Sequence, residues 1–334
     1  MKTIAVCDAF MKKEYYEECF RRFPEYELTS IIHFGTLDRK SMRDPIHNIE
    51  RHGPDAVDPP RELFDAVTDC EVLMVHLCPV PRRLIEKAPN LKFILLNRGG
   101  TENVDLQAAA DHGVVVLNNP AHNANSVTEL TLGLMLAETR NIARTHADLM
   151  KGVWCEHYSN TGRVYELSRR TVGIIGFGNI GRRVARKLTA FDCRVLVYDK
   201  YVPATDPDIA RYNATFTDLK TLMNQSDIVT LHVRSNDLVL GREELMMMKD
   251  GAYFINTARP HLIDNAAMIE MLSSGKLAGA AFDVFMQEPI DENEPYIKLD
   301  NVTLTNHRGG DTVNCYSDSP AMLLEQANVY LAGG

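Results

Sequence analysis

The chain has 334 residues, enough for about two domains, and its 45% hydrophobic and 24% charged residues are ordinary for a globular protein. Its formal net charge of −9 argues against sequence-independent binding to nucleic acid or anionic membranes, because both need an excess of Lys and Arg. The N-terminus has too short an apolar stretch for a signal peptide, and no apolar run reaches the roughly 18 residues that span a bilayer. We therefore expect a cytoplasmic protein that binds neither nucleic acid nor membranes.

The seven cysteines form no C-x-x-C pair, which indicates free thiols in a reducing compartment and argues against a disulfide framework. His76 and Cys78 lie near each other in the sequence, but no second pair of residues has the spacing of metal ligands. The sequence therefore predicts a structural role for both residues and no metal site.

Short apolar runs alternate with helical stretches along the first part of the chain, which predicts a parallel βαβ sheet. Segment 38–62 is polar and rich in proline, so it is expected to be largely a loop. The candidate strands are residues 3–10, 27–34, 71–77, 91–97 and 114–118, and helical pieces are expected at 15–23 and 81–88.

A hinge is predicted near 118–121, where this series of strands ends. Asn118, Asn119 and Pro120 favour a turn, and a proline disfavours helix in the residue before it. The residue pattern after this turn is typical of a helix, so the chain is expected to enter a second domain here.

A long helix is predicted after the hinge. Ser126 and Glu129 have the spacing of a capping box, and an apolar stripe follows, so one helix is expected over about 127–150. Apolar residues surround much of this helix, which indicates burial on more than one side. They include Leu132, Leu134, Met135, Leu136 and Ile142.

A second series of strands follows the helix, and its count is that of a doubly wound dinucleotide-binding sheet. The six candidates are residues 171–176, 194–199, 227–233, 252–258, 279–285 and 301–306.

The sequence TVGIIGFGNIG, which begins at Thr171, contains the pattern G-x-G-x-x-G after an apolar strand and at the start of an amphipathic helix. The first glycine permits a tight turn, the second lets the backbone approach a pyrophosphate, and the third lets helix and strand pack closely. The N-terminus of the helix offers N–H groups to the phosphates. The cofactor-binding residues expected from this motif are Gly176, Gly178, Asn179, Ile180 and Gly181.

Asp199 ends the next strand, 18 residues beyond Gly181, close to the spacing expected for the acid that binds an adenosine ribose. A carboxylate suits two free ribose hydroxyls and repels a 2′-phosphate, so NAD is favoured over NADP. Lys200 next to it weakens this preference slightly.

Hydride transfer between an alcohol and a ketone needs an acid/base, a group that polarises the carbonyl and an anchor for the substrate. Arg259, Asp283, Glu288 and His307 lie at or just beyond the ends of three strands, where open α/β sheets bind their ligands. Singly, Arg259, Glu288 and His307 could be a surface ion-pair partner, a turn carboxylate and a capped strand end. Together they form a coherent acid–base set.

These segments resemble the D-2-hydroxyacid dehydrogenase family, which includes 3-phosphoglycerate dehydrogenase, glyoxylate/hydroxypyruvate reductase and D-lactate dehydrogenase. The matching pieces occur in the family's order over nearly the whole chain. They are NRGGTENVD, NSVTELTLGLML, TVGIIGFGNIG, INTAR, FDVFMQEP and NHRGG.

The resemblance implies a role for each of these residues. His307 would be the general acid/base, Glu288 its carboxylate partner, and Arg259 the cation that binds the substrate carboxylate and polarises the C2 oxygen. A carboxylate beside an imidazole raises the imidazole pKa, and an Arg fork matches a planar carboxylate. Asp283 would lie near the nicotinamide carboxamide, and Thr257 of INTAR is grouped with the cofactor-binding residues. The expected substrate-binding residues are Arg98, Gly99, Gly100 and Arg308.

The resemblance also implies an α/β architecture of two doubly wound parallel-sheet domains. A Rossmann NAD-binding domain, 119–307, would be inserted in a discontinuous flavodoxin-like substrate domain, 1–118 and 308–334. In this family the long helix lies at a two-fold interface, so a homodimer is expected.

Three residues depart from the usual family pattern: Pro260 after the catalytic arginine, Arg234 and Arg308. Because guanidinium groups bind phosphates and carboxylates well, Arg98 and Arg308 favour a substrate with a polar or anionic tail. Two alternatives remain. Formate dehydrogenases share the fold but pair their histidine with glutamine, whereas Glu288 is acidic. The family's corepressor branch uses the fold for NADH-sensing protein interaction.

Overall fold

The computed structural model describes residues 1–333 and divides into two compact units. Unit 1 comprises Met1–Asn123 and Thr312–Gly334, and unit 2 comprises Ala124–Asp311. The predicted domain boundaries, 118/119 and 307/308, each lie a few residues before the boundaries of the two units, 123/124 and 311/312. Asn119 donates its backbone N–H to Arg98 O and its side-chain amide to Ser319 Oγ, which keeps it within unit 1.

Within residues 1–123, the described chain forms a five-stranded parallel sheet of order β2-β1-β3-β4-β5. Its buried strands carry apolar side chains on both faces, as a parallel sheet covered by helices requires. The strands are β1 Lys2–Cys7, β2 Glu27–His33, β3 Val72–Val75, β4 Phe93–Leu96 and β5 Val115–Asn118. The helices are α1 Lys13–Phe20, α2 Arg43–His52, α3 Arg61–Ala66, α4 Arg82–Ile85 and α5 Leu106–Asp111.

Helix α2 contradicts the predicted loop over 38–62. Pro45 is the third helical residue, and proline is tolerated in the first turn because the N–H that it lacks has no intrahelical partner there. Ile49 is buried in the core of unit 1 and anchors the otherwise polar helix. Ile46 of the same helix packs against this core as well, and the polar composition of the segment concealed both contacts.

Within residues 124–311, the described chain forms a seven-stranded parallel sheet of order β12-β11-β10-β9-β6-β7-β8. The six predicted strands are present, and the three-residue edge strand β8 was missed. The strands are β6 Thr171–Ile175, β7 Arg194–Tyr198, β8 Ala214–Phe216, β9 Ile228–Leu231, β10 Tyr253–Asn256, β11 Gly279–Phe282 and β12 Val302–Leu304. The helices are α6 Ala124–Thr139, α7 Ile142–Leu149, α8 Asn179–Leu188, α9 Pro207–Arg211, α10 Leu219–Gln225, α11 Arg242–Met246 and α12 Asn265–Ser273.

The strand order of unit 2 reverses between β6 and β9, which pair with each other. The chain fills one side of the sheet with β7 and β8, then crosses back to place β9 through β12 on the other side. This reversal is the topological switch point at which doubly wound sheets bind their ligands. The predicted fold class of two parallel α/β domains is confirmed.

The single long helix predicted over 127–150 is wrong, because α6 and α7 are separate. Asn141 takes the left-handed conformation, with φ of 57°, which asparagine adopts more readily than most residues. The predicted capping box is also wrong. The Ser126 hydroxyl donates to Gly309 O, 2.6 Å away, and Glu129 pairs with Lys187.

The chain returns to unit 1 through α13 Val313–Ser317 and α14 Ser319–Leu331. Leu323 and Leu324 of α14 are fully buried and pack with Met74 and Leu95 in the core of unit 1. Among the described residues, no helix combines the length and apolar character required to cross a bilayer.

Candidate active site

The glycine loop after β6 has the geometry that a dinucleotide needs. Gly176 has a φ of +94°, and a side chain there would come within 2.7 Å of the His232 carbonyl. A side chain at Gly181 would overlap the carbonyl oxygen of Gly176. Both positions therefore require glycine for the turn and for the close approach of α8 to the sheet.

Gly178 has a different role, because a side chain there would meet no protein atom within 4 Å. Gly178 is the residue before α8 and offers no side-chain cap to the helix. The first N–H groups of α8, beginning at Asn179 and Ile180, are therefore available for an anion. Open space beside uncapped N–H groups fits the pyrophosphate of a dinucleotide.

Asp199 is held beside this loop by backbone hydrogen bonds. Its Oδ2 accepts from the N–H of Phe177 at 2.6 Å, and its Oδ1 accepts from those of Tyr201 and Val202 at 2.7 and 3.0 Å. Oδ2 accepts only one of these hydrogen bonds, so it can accept a further one. The fixed carboxylate is therefore suited to accept hydrogen bonds from ribose hydroxyls.

His307 lies three residues beyond β12 and is paired with Glu288. Its Nδ1 lies 2.7 Å from Glu288 Oε2, and Glu288 Oε1 accepts the N–H of Phe285 at 2.9 Å. His307 has a φ of 55°, a left-handed conformation that is uncommon outside glycine but is enriched in histidine. The side chain of His307 is half-exposed, so the pair can meet a substrate.

The two partners shift each other's pKa in opposite directions. The hydrogen bond to Glu288 raises the pKa of His307 above its usual value against the opposing effect of burial, and the charge of Arg259 lowers it. Burial alone would raise the pKa of Glu288, but the hydrogen bonds from His307 and from the Phe285 N–H lower it. The imidazole is thus stabilised in its protonated form, as a proton donor requires.

Asp283 fixes the loop that carries His307. This carboxylate is 1% exposed, and its Oδ1 accepts hydrogen bonds from Thr305 Oγ1 at 2.6 Å and the Arg308 N–H at 2.8 Å. Its Oδ2 accepts from the N–H of Gly309 at 2.8 Å. Asp283, which the sequence grouped with cofactor-binding residues, therefore also holds His307 from both sides.

Arg259 follows β10 on a loop that Asn256 supports. The Asn256 side chain donates to Arg259 O at 3.0 Å and accepts from the N–H of Ala258 at 2.9 Å. Arg259 itself is exposed, and its charge lowers the pKa of both Glu288 and His307. The three predicted catalytic residues are therefore within electrostatic reach of one another.

The unusual Pro260 is accommodated without loss of a hydrogen bond. It begins the short 3₁₀ turn Pro260–Leu262, where the missing N–H would have had no partner.

Thr257 is buried, and its hydroxyl lies 2.9 Å from Thr131 Oγ1 on α6. Sequence reasoning missed the supporting roles of Asn256 and Thr305. Polar residues at strand ends were the only signal for them.

Residues 132–309 match the family model described as the D-isomer specific 2-hydroxyacid dehydrogenase, NAD binding domain. This match covers more than half of the chain. The chain belongs to this family.

Relatives of the dehydrogenase agree with the match. The chain is 40% identical over 257 residues to a hydroxypyruvate reductase of Thermotoga maritima. The match covers 75% of this chain and 81% of that protein. The chain is 37% identical over 276 residues to a D-3-phosphoglycerate dehydrogenase of Methanocaldococcus jannaschii, with 81% of this chain covered. The match spans about half of that longer relative, 52%.

A solved structure of D-2-hydroxyisocaproate dehydrogenase has a TM-score of 0.75 with this chain at 24% identity, covering 100% of this chain and 98% of the other. A likeness at this identity shows the fold alone. The family match and the relatives above place the chain among the D-2-hydroxyacid dehydrogenases, and the NAD binding domain of the family model confirms the predicted cofactor, NAD.

The arginines expected to bind a substrate tail are already paired with carboxylates. Arg98 Nη2 lies 2.9 Å from Glu50 and 3.4 Å from Glu102, and Arg308 Nη1 lies 2.8 Å from Asp311. An anionic substrate would compete with these acids for either guanidinium. The structure therefore weakens the argument that these two side chains select an anionic tail.

Gly99 and Gly100 lie on the loop after β4. A side chain at Gly99 would come within 3.2 Å of the Pro120 backbone, and the Gly99 carbonyl accepts a hydrogen bond from Asn118 Nδ2 at 2.7 Å. The loop is therefore fixed by β5 and the turn after it, which leaves it suited to present backbone N–H groups.

Proposed function

We propose that the dehydrogenase interconverts a 2-keto acid and the D-2-hydroxy acid, with His307 as the acid/base. The observation that carries the proposal is the 2.7 Å pair of His307 Nδ1 and Glu288, with Arg259 in electrostatic reach. The hydride exchanged with the substrate C2 belongs to the nicotinamide of the bound cofactor.

In reduction, His307 donates a proton to the carbonyl oxygen on C2, which becomes the hydroxyl oxygen of the product. Nδ1 is hydrogen-bonded to Glu288, so Nε2 is the nitrogen that donates the proton. Glu288 stabilises the imidazolium before transfer, and Asp283 keeps the loop in place. In oxidation, the neutral Nε2 accepts the hydroxyl proton.

Arg259 is the proposed cation for the substrate carboxylate. A guanidinium offers two parallel N–H donors that match the two oxygens of a carboxylate. The backbone N–H groups of Gly99 and Gly100 are neutral donors that also suit a carboxylate. A phosphoglycerate dehydrogenase-like or hydroxypyruvate reductase-like substrate agrees with the names of the relatives.

The test is the loss of NADH absorbance with a panel of 2-keto acids, with cofactor binding followed by NADH fluorescence. We expect NADH oxidation with at least one 2-keto acid. Binding of NADH without turnover of any 2-keto acid would instead favour the NADH-sensing interaction protein.

Asp199 sets a prediction for cofactor choice. We expect kcat/KM to favour NADH over NADPH by about tenfold to a hundredfold, since a like charge near the 2′-phosphate costs about 1–3 kcal/mol. Asp199→Ala should relax the preference. Equal efficiency of the wild-type enzyme with both cofactors would show that this carboxylate does not face the ribose.

Glu288 sets a prediction for pH dependence. Reduction needs protonated His307, so activity falls as pH rises through the His307 pKa. Glu288→Gln removes the negative charge that stabilises the imidazolium and leaves only a neutral acceptor, so the His307 pKa falls and the alkaline limb of kcat/KM for reduction should move to lower pH. A profile that does not move would show that the two side chains are not coupled in the enzyme.

A homodimer is proposed from an exposed apolar surface on α7 and the segment after it. The apolar residues of α6 are not the reason, because Leu134 and Met135 are buried in the core of unit 2 and Leu132 and Leu136 pack against it. The exposed side chains are Ile142, Leu149, Met150, Val153, Trp154, Val164 and Tyr165, with Trp154 80% exposed. So many exposed apolar side chains within one stretch of the chain, 142–165, favour contact with a partner.

We expect a dimer by sedimentation at micromolar concentration, and Trp154→Asp should shift it towards monomer because a charge is disfavoured in an apolar interface. Tyr201→Asp, at an 82% exposed residue elsewhere in unit 2, is the matched control. A wild-type monomer would refute the proposal.

A further inference from the structure

A buried Asp8–His76 pair in unit 1 was assigned only a structural role from the sequence. Asp8 follows β1 and is 3% exposed, and its Oδ2 lies 3.0 Å from His76 Nδ1. The carboxylate also accepts hydrogen bonds from the backbone N–H groups of Phe10, Met11 and Leu77. These contacts fix the orientation of the imidazole and show that Nδ1 is the donor to Asp8.

His76 lies beside the loop to which the proposed function assigns the substrate carboxylate. The register of β3 and β4 pairs Val75 with Leu96, so His76 and Asn97 leave their strands side by side. The Asn103 side chain donates to His76 O at 3.2 Å and so ties the end of β3 to the loop that follows β4. His76 is therefore one strand away from Gly99 and Gly100, at the same carboxyl edge of the sheet.

One ring nitrogen of His76 is not used by the fold. Nε2 forms no hydrogen bond with any other residue in the described part of the chain. It is also not one of the unpaired polar atoms that are fully buried, so it retains some access. Phe10 and Tyr316 stand edge-on to the imidazole, each 6.0 Å away between ring centroids. Two aromatic rings therefore flank the imidazole, and the Arg39 guanidinium lies over the same two rings, 4.7 Å from the Phe10 centroid and 5.6 Å from the Tyr316 centroid.

We propose that His76 Nε2 binds a hydroxyl group on C3 of the substrate, which makes His76 a specificity-determining residue. A hydroxyl can donate to a neutral imidazole and accept from an imidazolium, so the contact forms in either state of His76. A methyl group in the same place would leave Nε2 without a partner, which is unfavourable. The inference rests on the proposed function and narrows its substrate class to 3-hydroxylated 2-keto acids.

The test compares kcat/KM for hydroxypyruvate, 2-ketobutyrate and glyoxylate in NADH-dependent reduction. Hydroxypyruvate carries a hydroxyl group on C3 where 2-ketobutyrate carries a methyl group. Glyoxylate has no C3. We expect the wild-type enzyme to favour hydroxypyruvate over 2-ketobutyrate by about tenfold to a hundredfold, as a site built to bind a hydroxyl does. His76→Asn keeps an amide N–H for Asp8 and removes Nε2. It should reduce this ratio to within a few-fold and leave glyoxylate within about threefold of wild type.

His76→Gln places an amide near the position of Nε2 and should restore part of the ratio. It also serves as the second variant if His76→Asn does not fold. A wild-type enzyme that does not distinguish the two isosteric acids overturns the inference. Equal loss of kcat/KM for all three acids in His76→Asn also overturns it, because that pattern indicates a purely structural role. No turnover of any acid, with NADH still bound, overturns the proposed function and this inference with it.

Discussion

His307→Ala is expected to lower kcat for keto-acid reduction by roughly 10²–10⁴, the usual contribution of a positioned general acid. The His307 side chain is half-exposed, and among the residues that the structure describes it makes a polar contact with Glu288 alone, so the variant should fold. The dissociation constant of NADH should stay near wild type, because the glycine loop and Asp199 are unchanged. Stopped-flow reduction with saturating keto acid and NADH fluorescence measure the two quantities.

The matched control for this variant is His112→Ala, which removes a histidine that bonds only to its own helix at Ala108 O. This control should keep kcat within about twofold of wild type, as surface substitutions do. If His307→Ala also keeps kcat within a few-fold, His307 is not the acid and the strand end is a polar turn.

Arg259→Gln is expected to lower kcat/KM by on the order of a hundredfold or more, since two charge-assisted hydrogen bonds to the substrate carboxylate are lost. Arg259→Lys keeps the charge but not the planar fork, so it should recover only part of the loss. Because the charge of Arg259 lowers the pKa of His307, the alkaline limb should also move to higher pH in Arg259→Gln. This shift is opposite in sign to that of Glu288→Gln.

Arg242→Gln is the control for Arg259, because Arg242 is exposed and pairs with Glu270 on the neighbouring helix. It should leave the kinetics near wild type. A change of less than threefold in Arg259→Gln would show that another cation binds the carboxylate.

The features that could be predicted from the sequence are those set by neighbours in the chain. Gly176 and Gly181 have a mechanical reason within one strand–turn–helix unit, and the structure shows the same constraints at both. Asp199 directly follows the next strand along the chain, which fixes its position. The strands appeared as apolar runs because a parallel sheet is buried on both faces. For the same reason, the short and half-exposed β8 gave no signal.

The features that could not be predicted depend on residues far apart in the chain. Asp8 and His76 are 68 residues apart, and only the neighbouring positions of β1 and β3 bring them together. Arg98 meets Glu50 through α2, a helix that the polar sequence concealed. The end of α6 depends on a left-handed Asn141, which local helix propensity does not reveal.

His307, Glu288 and Arg259 are proposed to act together on a D-2-hydroxy acid. Three such groups arranged around one substrate carbon would allow the hydride to leave from one face only. The most direct measurement is the rate of NAD reduction with the two enantiomers of the same 2-hydroxy acid, glycerate, at equal concentration. We expect the D-enantiomer to be oxidised and the L-enantiomer to react at least a hundredfold more slowly, since a misplaced substrate loses about that factor. Equal rates, or a preference for the L-enantiomer, would contradict the assigned roles of these three residues.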